Sequence, residues 1–325
     1  MKKYIWGIIY GILLTAFTVY VMLDTFVITR VYTDVPGNYD SSSSIVFKDD
    51  EDNKKQNTDG SSSFISDDEK DSAETKSDKS FVTLTDSAYS DGNISITLME
   101  YREHDTTIYV ADVQVSSAEY LKTAFAKSAY GKNVTDKTSE IAEDAGAILA
   151  INGDYYGARE KGYVIRNGML YRNTSSSSQE DLVIYKDGSL DVITEKSVSA
   201  QSLLDAGAQQ VLSFGPALVI DGKVSVTEDE EVGKAMSSNP RTAIGIVDEL
   251  HYLFVVSDGR TSVSEGLSLR ELAEFMQSLG ADIAYNLDGG GSSTMVFNGK
   301  VINNPTTNGK SIKERSVSDI VYIGY

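Results

Sequence analysis

The stretch with the most chemistry in this chain is 286–296, which reads NLDGGGSSTMV and joins a carboxylate, three glycines and a run of hydroxyl residues. The apolar run before it predicts a strand that delivers Asp288 to its carboxyl end. Glycines let a ligand approach the main chain closely, and successive N–H groups in such a loop can form an anion site. We therefore expect this loop to bind phosphate or a polyol. The candidate binding residues are Asn286, Gly289, Gly290, Gly291, Ser292 and Ser293.

The same loop has a simpler interpretation, in which the glycines form a tight turn between two strands and Asp288 caps that turn. Two familiar phosphate motifs are excluded, because no Lys follows the glycines as a P-loop requires and no GxGxxG spacing opens a helix. A Ser-His-Asp triad or a multi-histidine zinc site is also disfavoured, since the chain has only 2 histidines. The binding loop and the plain turn are both open at this point.

The composition narrows the class of partner and the compartment. The chain has 325 residues and a formal net charge of -19, which argues against nucleic acid as a partner, because phosphate backbones need clustered Lys and Arg. It has no cysteine, so disulfides and thiolate metal sites are ruled out. Both an exported and a cytosolic protein fit this composition.

The N-terminus favours export. Lys2 and Lys3 precede an almost uninterrupted apolar run over 4–23, long enough to span a hydrocarbon core of about 30 Å. The run is longer than the apolar part of a cleavable signal, and no small-x-small pattern follows before Asp24, so it predicts a signal anchor. Because positive charge stays inside, we expect a single-pass protein of the cell membrane with its C-terminal domain outside. A cleaved signal is the alternative.

Three regions follow from these patterns. Residues 1–36 are predicted to be the signal anchor and juxtamembrane segment. Residues 37–80 are dominated by Ser, Asp, Glu, Lys and Asn, and such a segment cannot bury enough apolar surface to offset its ordering entropy. We predict that it is a disordered acidic tether that holds the domain away from the bilayer. Residues 81–325 are predicted to be the folded domain.

The folded region predicts more strands than helices. Segments 93–101 and 106–115 alternate apolar and polar residues and predict a strand pair. The clearest helix is 269–279, where Ser268 and Glu271 form a capping box. Hairpins dominate and one helix–strand crossover precedes the glycine loop, so we predict an α+β fold with a mixed, largely antiparallel twisted sheet and a few packed helices.

Four stretches together resemble the phosphodiester glycosidase family, and they read ING at 151–153, RTAIG at 241–245, GLSLRELAEFM at 266–276 and NLDGGGSSTM at 286–295. The resemblance covers about 145–325. It implies a hydrolase that cleaves the bond between a sugar's anomeric carbon and a phosphodiester, and many bacterial relatives are exported and associated with exopolysaccharide. One departure is Asp154, where relatives often have glycine or an aromatic residue, so no role is transferred to it.

The resemblance gives expected roles to the phosphate-binding groups. The glycine N–H groups and the Ser292 hydroxyl would hold phosphate oxygens, and Arg241 would add a bidentate clamp. For Arg241 a surface salt bridge is the alternative. Asn152 and Gly153 would bind a sugar hydroxyl or N-acetyl group, and their alternative is a simple turn after a strand.

The carboxylates carry the expected chemistry. Asp288 is the candidate near the anomeric carbon, as nucleophile, base or electrostatic stabiliser. Asp258 is the first choice for a second carboxylate because it too ends an apolar strand, and Glu265 and Asp154 are the other choices. A β-turn Asp before glycine is an equally good interpretation of Asp258.

The predicted function is an anchored extracytoplasmic hydrolase acting on a GlcNAc-like sugar-1-phosphodiester of an envelope polysaccharide or glycolipid. Its expected partners are this carbohydrate substrate and the membrane. The alternative is a non-catalytic surface module that binds glycan or phosphate in exopolysaccharide biosynthesis. No cofactor is predicted; a third hypothesis places a hard cation such as Ca²⁺ or Mg²⁺ between Asp288, Asp258 and carbonyl oxygens.

Overall fold

The computed structural model describes residues 2–34, 82–227 and 238–325. The α-helices in these residues are α1 (Lys2–Phe26), α2 (Thr138–Asp144), α3 (Ala200–Asp205) and α4 (Leu269–Ser278). The first strands are β1 (Arg30–Asp34), β2 (Thr83–Leu84), β3 (Ala88–Ser90), β4 (Ile94–Glu103), β5 (Thr106–Val115), β6 (Leu121–Phe125), β7 (Ala129–Lys132), β8 (Leu149–Asn152), β9 (Val164–Arg166) and β10 (Met169–Arg172). The others are β11 (Glu180–Tyr185), β12 (Leu190–Thr194), β13 (Ala208–Leu212), β14 (Ala217–Ile220), β15 (Lys223–Val224), β16 (Arg241–Asp248), β17 (His251–Ser257), β18 (Ile283–Asn286), β19 (Met295–Phe297), β20 (Lys300–Val301) and β21 (Asp319–Ile323).

The centre of the domain is a 9-stranded sheet with the order β15-β14-β18-β16-β17-β5-β4-β3-β2. Two 5-stranded sheets accompany it, with the orders β10-β9-β13-β11-β12 and β20-β19-β8-β21-β6. The central strands are apolar on both faces because both faces are covered. On β17, for example, Leu253 and Val255 join one buried cluster, whereas Phe254 and Val256 join another.

Helix α4 covers one face of the large sheet. Leu272 and Met276 are fully buried and pack with Val255. The Ser268 hydroxyl accepts a hydrogen bond from the Glu271 N–H, and the Glu271 side chain accepts one from the Ser268 N–H, so the predicted capping box is present. The other face of the sheet packs on strands of the two smaller sheets, through residues such as Ile151 and Leu182 in the same cluster as Phe254.

The α+β prediction is confirmed, and the strand pairings of the described residues are antiparallel. The crossover through α4 makes β18 parallel to β17 in direction, but β16 lies between them and pairs antiparallel with both. No parallel contact arises from this crossover for that reason. The predicted strand pair 93–101 and 106–115 corresponds to β4 and β5, which are joined over ten residue pairs from Ile94↔Val115 to Glu103↔Thr106.

The N-terminal helix is followed directly by a strand that belongs to the domain. Helix α1 contains one apolar window, Ile9–Phe26, that is long enough to cross a membrane. After a link of three residues, β1 pairs antiparallel with β7, with Arg30 opposite Lys132 and Val31 opposite Gly131. The segment after the helix is therefore hydrogen-bonded to the domain. The predicted tether at 37–80 lies outside the described residues, and the predicted boundaries at 36 and 80 stay predictions.

A cross-link would test the pairing of β1 with β7. We expect Arg30→Cys combined with Lys132→Cys to form a disulfide on oxidation, because Cα atoms of antiparallel partners lie about 4.5–5.5 Å apart, within disulfide range. The chain has no natural cysteine to compete. With a protease site inserted after Gly60, the two fragments should stay joined on a non-reducing gel. The control pair is Arg30→Cys with Lys223→Cys, which lies on β15; equal cross-linking of both pairs would contradict the pairing.

Strand β11 carries a fully buried carboxyl group. Asp181 has no exposed surface, and neither of its oxygens has a hydrogen-bond partner among the described residues. Burial, and then the nearby charge of Glu195, raises the pKa of Asp181 to about 9. Asp181 is therefore protonated in the folded protein at neutral pH.

This carboxyl group should make stability depend on pH. The unfolded chain releases the Asp181 proton near pH 4, whereas the folded protein keeps it to about 9, so stability falls as pH rises between these values. An amide cannot ionise, so Asp181→Asn should gain stability relative to the wild type from pH 5 to pH 8, by at most about 1.4 kcal/mol per pH unit. Urea unfolding at several pH values measures this. Asp191→Asn, on exposed β12 surface, is the control, and parallel pH profiles for Asp181→Asn and the wild type would refute the assignment.

Candidate active site

The candidate site lies where two sheets meet. Strand β18 of the large sheet and strand β8 of a smaller sheet both end here, and 287–294 passes from one sheet to the other. The fully buried Asn152 side chain joins these parts, because its Nδ2 donates to the Asp288 carbonyl oxygen at 2.6 Å. Its Oδ1 accepts from Thr242 Oγ1 at 2.8 Å and from the Thr294 N–H at 3.2 Å. The amide predicted to bind a sugar is thus engaged within the protein, where it fixes the loop.

The Asp288 carboxylate is held by two side chains. Its Oδ2 accepts from Ser292 Oγ at 2.6 Å and from Arg315 Nη2 at 2.7 Å. Arg315 also donates from Nε to Ser292 Oγ at 2.8 Å and from Nη2 to the Gly289 carbonyl oxygen at 3.2 Å. The carboxylate, the hydroxyl and the guanidinium therefore form one closed hydrogen-bonded group.

This group sits at the boundary between the core and solvent. The Asp288 side chain is 12 % exposed and the Arg315 side chain 41 % exposed, so a ligand in solution can reach the guanidinium while the carboxylate is largely shielded. Burial raises the pKa of Asp288 above its usual value, and the charge of Arg315 and the hydrogen bond from Ser292 act in the opposite direction. Burial has the larger effect on the pKa of Asp288, and Arg315 limits the size of the increase.

Sequence reasoning missed Arg315. It lies in the irregular segment before β21, and nothing in the residue pattern distinguishes it from Lys310 or Lys313 nearby. Asp288 is 27 positions earlier, since 315 − 288 = 27. The spacing of residues along the chain therefore could not predict that Arg315 pairs with Asp288.

A second guanidinium lies beside this group. Arg260 donates from Nη1 to the Thr307 carbonyl oxygen at 2.7 Å and from Nη2 to Asn239 Oδ1 at 3.0 Å. Burial lowers the pKa of Arg260, and the positive charge of Arg315 lowers it further. The two cations are thus close enough to repel each other, and a bound anion would relieve that repulsion.

The glycines of the loop are closely packed. A Cβ at Gly290 would lie 2.9 Å from the Arg260 guanidinium, and one at Gly291 would lie 2.3 Å from Thr307 Oγ1. Gly290 also has a positive φ of 65°, which favours glycine. Its N–H donates to the Pro240 carbonyl oxygen at 2.8 Å, so this N–H is engaged within the protein rather than in the predicted anion site. The glycines let the Arg260 and Thr307 side chains approach the loop.

Asp258, the first choice for a second carboxylate, is occupied by the next loop. Its Oδ1 accepts from the Asn304 N–H at 2.8 Å, and its Oδ2 accepts from Asn304 Nδ2 at 2.9 Å. Tyr109 and Asn303 lie at 3.4 Å from the same carboxylate. Asp258 thus anchors the start of the segment that carries Arg315.

Glu265 is joined to the site region through its main chain. Its N–H donates to the Asp105 carbonyl oxygen at 3.1 Å, and its carbonyl oxygen accepts from the Arg260 N–H at 3.0 Å. The residue itself is exposed. Glu265 therefore helps to fix the turn that presents Arg260.

Arg241 is buried beside the loop. Its Nε donates to the Leu267 carbonyl oxygen at 2.8 Å, and a Cβ at Gly289 would lie 3.9 Å from the Arg241 Cα. Strand β16 thus delivers Arg241 next to Gly289, as the sequence predicts, but its Nε is engaged with the main chain before the α4 helix. The exposed cations of the site are Arg315 and Arg260.

Three polar side-chain atoms in or beside the loop are buried without a partner among the described residues. They are Asn286 Oδ1, Ser293 Oγ and Thr294 Oγ1. Asn286 Nδ2 donates to the Gly215 carbonyl oxygen at 2.7 Å, and the Ser293 carbonyl oxygen accepts from Asn303 Nδ2 at 2.9 Å. Both residues therefore serve the packing of the loop, with one acceptor and one hydroxyl left over.

A buried ion cluster supports the floor of the site. Arg166 Nη2 donates to Asp319 Oδ2 at 2.7 Å and to Asp154 Oδ2 at 2.9 Å, and a Cβ at Gly153 would lie 2.4 Å from Asp319 Oδ1. One guanidinium cannot neutralise two buried carboxylates. Burial and the charge of Asp154 accordingly raise the pKa of Asp319 to about 8, so Asp319 keeps its proton at neutral pH. Asp154, one of the other choices for a second carboxylate, is thus bonded to Arg166 and is part of this support.

The described residues can be compared with the predicted site for a Ca²⁺ or Mg²⁺ ion. They contain no group of three or more His, Asp or Glu side chains placed to hold a metal ion. Asp258 is engaged by Asn304, and Asp288 by Arg315 and Ser292. These donors occupy both carboxylate oxygens of Asp258 and the Oδ2 atom of Asp288.

The chain is similar in sequence to a known protein family and to several known proteins. A family model described as phosphodiester glycosidase matches residues 145–324, which is more than half of the chain. The uncharacterized SPbeta prophage-derived protein YomE of Bacillus subtilis (strain 168) is 28% identical over 270 residues, or 77% of this chain and 39% of that protein. The N-acetylglucosamine-1-phosphodiester alpha-N-acetylglucosaminidase of Mus musculus is 29% identical over 184 residues, or 51% of this chain and 35% of that protein. The chain thus spans less than half the length of these relatives.

Solved structures share the fold. The catalytic domain of the zebrafish N-acetylglucosamine-1-phosphodiester alpha-N-acetylglucosaminidase, auto-inhibited by its pro-peptide, superposes with a TM-score of 0.58 at 21% identity, covering 71% of this chain and 83% of that one. A hypothetical protein from Synechocystis gives a TM-score of 0.52 at 15% identity, covering 71% and 62%. Together with the family match, which spans β8, β16, α4 and the glycine loop, this leads to one conclusion: the chain belongs to the phosphodiester glycosidase family.

Proposed function

We propose that this protein hydrolyses the glycosidic bond of a sugar-1-phosphodiester. The observation that carries the proposal is the Asp288 carboxylate held against the exposed Arg315 guanidinium, with Arg260 alongside. Family membership supports the reaction class. The names of the mammalian relatives support GlcNAc as the sugar.

The charges of the site suit a phosphodiester. Arg260 and Arg315 carry two positive charges, and ionised Asp288 carries one negative charge, so the group retains one net positive charge. A phosphodiester carries one negative charge and presents oxygens that guanidinium groups match in geometry. When the glycosidic bond breaks, a second negative charge develops on the departing phosphate. The two cations stabilise that charge in the transition state, which is where binding energy accelerates the reaction.

Asp288 suits the role of the carboxylate at the anomeric carbon. Both of its side-chain donors contact Oδ2, and neither contacts Oδ1. A carboxylate at this position stabilises the positive charge that develops on the sugar, or attacks the anomeric carbon directly. The departing phosphate is already a good leaving group, so a strong general acid is less necessary than in an ordinary glycosidase. Asp258, occupied by Asn304, is then required for loop placement rather than for proton transfer.

The proposed location is the outer face of the cell membrane, with α1 as a single-pass anchor. The support is the apolar window Ile9–Phe26 and the two lysines before it. Envelope polysaccharide or glycolipid linked through sugar-1-phosphate is the substrate class that such a location offers.

One observation favours a second candidate function, a glycan- or phosphate-binding module without catalysis. Asp258, the first choice for the second carboxylate, is engaged by Asn304 and is not free to take part in proton transfer. Binding needs only the two guanidinium groups and the loop. The two functions differ in what happens when Asp288 is neutralised.

Neutralising Asp288 tests catalysis directly. The full chain is incubated with the methyl phosphodiester of GlcNAc-1-phosphate, and free GlcNAc and methyl phosphate are measured. We expect Asp288→Asn to lower the rate by at least about 100-fold, the lower end of what a positioned carboxylate contributes. Asp282→Asn removes an exposed carboxylate just before β18 and should leave the rate unchanged. Release of GlcNAc-1-phosphate in place of GlcNAc would refute the glycosidase proposal, and binding without any turnover would favour the module.

Removing Arg315 tests the coupling between phosphate binding and Asp288. Arg315→Gln should raise KM about tenfold or more through the lost guanidinium contact. Because Arg315 opposes the raised pKa of Asp288, its loss should also move the acid limb of the kcat profile to higher pH. Arg270→Gln, which alters a guanidinium on α4 paired with Glu274, is the control. An unshifted acid limb in Arg315→Gln would contradict the coupling.

A further inference from the structure

The membrane end of α1 is fixed to the domain by a side chain. Asn133, just after β7, donates from Nδ2 to the Thr25 carbonyl oxygen at 3.2 Å and to the Ile28 carbonyl oxygen at 3.0 Å. Thr29 Oγ1 in turn donates to the Asn133 carbonyl oxygen at 3.3 Å. The last carbonyl groups of a helix have no partner within the helix, so a residue of the domain here satisfies the end of α1. The helix terminus and the turn after β7 are thus one hydrogen-bonded unit.

The link between the helix and β1 is short. The three residues 27–29 separate them, and a fully extended chain of this length spans at most about 14 Å over its four Cα–Cα steps. Strand β1 then pairs with β7 from Arg30 to Asp34, and the Tyr32 and Tyr130 rings lie 5.8 Å apart between centroids. If α1 crosses a bilayer, β7 has to lie at the surface of that bilayer. Only residues 27–29 join α1 to β1, so the length of the chain after β1 does not change the distance between β7 and the helix end.

The strand at the membrane end is directly connected to the floor of the site. The Asn133 N–H donates to the Gly157 carbonyl oxygen at 3.0 Å, and a Cβ at Gly157 would lie 2.2 Å from Ser318 Oγ and 3.6 Å from the Gly131 carbonyl oxygen. Asp319, next to Ser318, accepts at its carbonyl oxygen from the Gly153 N–H at 2.9 Å. A rigid, hydrogen-bonded path therefore leads from β7 to residue 153.

The same path reaches the candidate catalytic carboxylate. The Asp288 N–H donates to the Gly153 carbonyl oxygen at 3.3 Å. Because neighbouring Cα atoms along this path are each about 4–5.5 Å apart, Asp288 lies within about 25 Å of Gly131 on β7. The polar headgroup layer adds about 5–7 Å outside the hydrocarbon core. The path therefore limits Asp288 to the layer of about 25 Å next to the membrane surface, where lipid-linked substrates are concentrated.

The surface around the link suits the membrane interface. Phe26, Val27, Val31 and Tyr32 are exposed large apolar residues in and after the end of α1. Aromatic side chains at the end of a membrane helix bury an apolar body near the headgroups. These residues favour contact with lipid on the side of the domain where β1 lies.

We propose that the domain is clamped to the membrane surface through β1, β7 and Asn133, and that its substrate is a lipid-linked sugar phosphodiester in the same membrane. This rests on the proposed function and on α1 as an anchor. The phosphate carries a lipid on its other side. The bond between the anomeric carbon and the phosphate oxygen breaks, and that oxygen keeps the electron pair. Water supplies the hydroxyl at the anomeric carbon and releases its other proton to solvent, so the products are the free sugar and a lipid phosphomonoester.

The test uses the full chain in phosphatidylcholine vesicles with two substrates, the methyl and the hexadecyl phosphodiesters of GlcNAc-1-phosphate. We expect the hexadecyl diester to be cleaved at least tenfold faster when it shares the enzyme's vesicles than when it is in separate vesicles. A 20-residue Gly-Ser insert after Ile28, which adds a flexible reach of about 25 Å, should reduce the shared-vesicle rate about fivefold or more. It should leave the rate on the methyl diester unchanged.

The matched control is the same insert after Gly60, which lengthens the chain between β1 and β2 but not the link to the helix. It should change neither rate. A second readout does not depend on activity: a fluorophore at Lys127→Cys, beside β7, should transfer energy to headgroup acceptors in the wild type and in the Gly60 insert, and much less in the Ile28 insert.

The results distinguish three claims: that the domain is held at the membrane through β1 and β7, that the substrate is lipid-linked, and that the protein is a glycosidase. Equal energy transfer in the two inserts would overturn the clamp. Cleavage of the methyl diester with no advantage for the hexadecyl diester in shared vesicles would overturn the lipid-linked substrate. If neither diester is cleaved, the proposed function fails, and the energy-transfer result still decides where the domain lies.

Discussion

The arrangement of this site depends on the buried Asn152 side chain. A primary amide offers donors and an acceptor in one plane, and here they connect the end of β8, the loop after β18 and the start of β16. Strand β8 belongs to a different sheet from β16 and β18, so no strand ladder aligns its end with theirs. Buried polar groups are costly unless they are satisfied, and here the donors and the acceptor of the Asn152 amide are all hydrogen-bonded. The position of Asp288 follows from it.

Charge placement is the second constraint. Asp258 holds Asn304 at the start of the segment that carries Arg315, and Arg315 then reaches back to Asp288. The two aspartates thus have different tasks: one is saturated with hydrogen bonds and shapes a loop, and the other is partly buried against a cation. The environment, rather than the residue type, separates a structural carboxylate from a chemical one. Arg260 lies beside Arg315 and adds a second positive charge to the site. The site therefore carries two cations although the chain has a net charge of -19.

The residues below the site connect the Asp288 loop with the strand next to the N-terminal helix. Arg166 is fully buried between Asp154 and Asp319, and Asp319 packs against Gly153. The same backbone continues to Ser318 and Gly157, which contact the strand paired with β1. Because interiors are close-packed, such a chain of contacts is stiff. The Asp288 main chain and the end of the N-terminal helix are therefore joined through one set of contacts.

The sequence by itself determined the local features. Apolar periodicity and the Ser268–Glu271 capping box located α4, alternation located β4 and β5, and the family motifs marked Asp288 and the glycine loop. These features can be predicted from the sequence because helix caps and strand alternation depend on residues only a few positions apart. Only the tertiary structure decided which side chain pairs with Asp288, what occupies Asp258, and that β1 joins β7 about a hundred positions later. Such partners are distant in the chain and are chosen by how sheets pack, which no local spacing encodes.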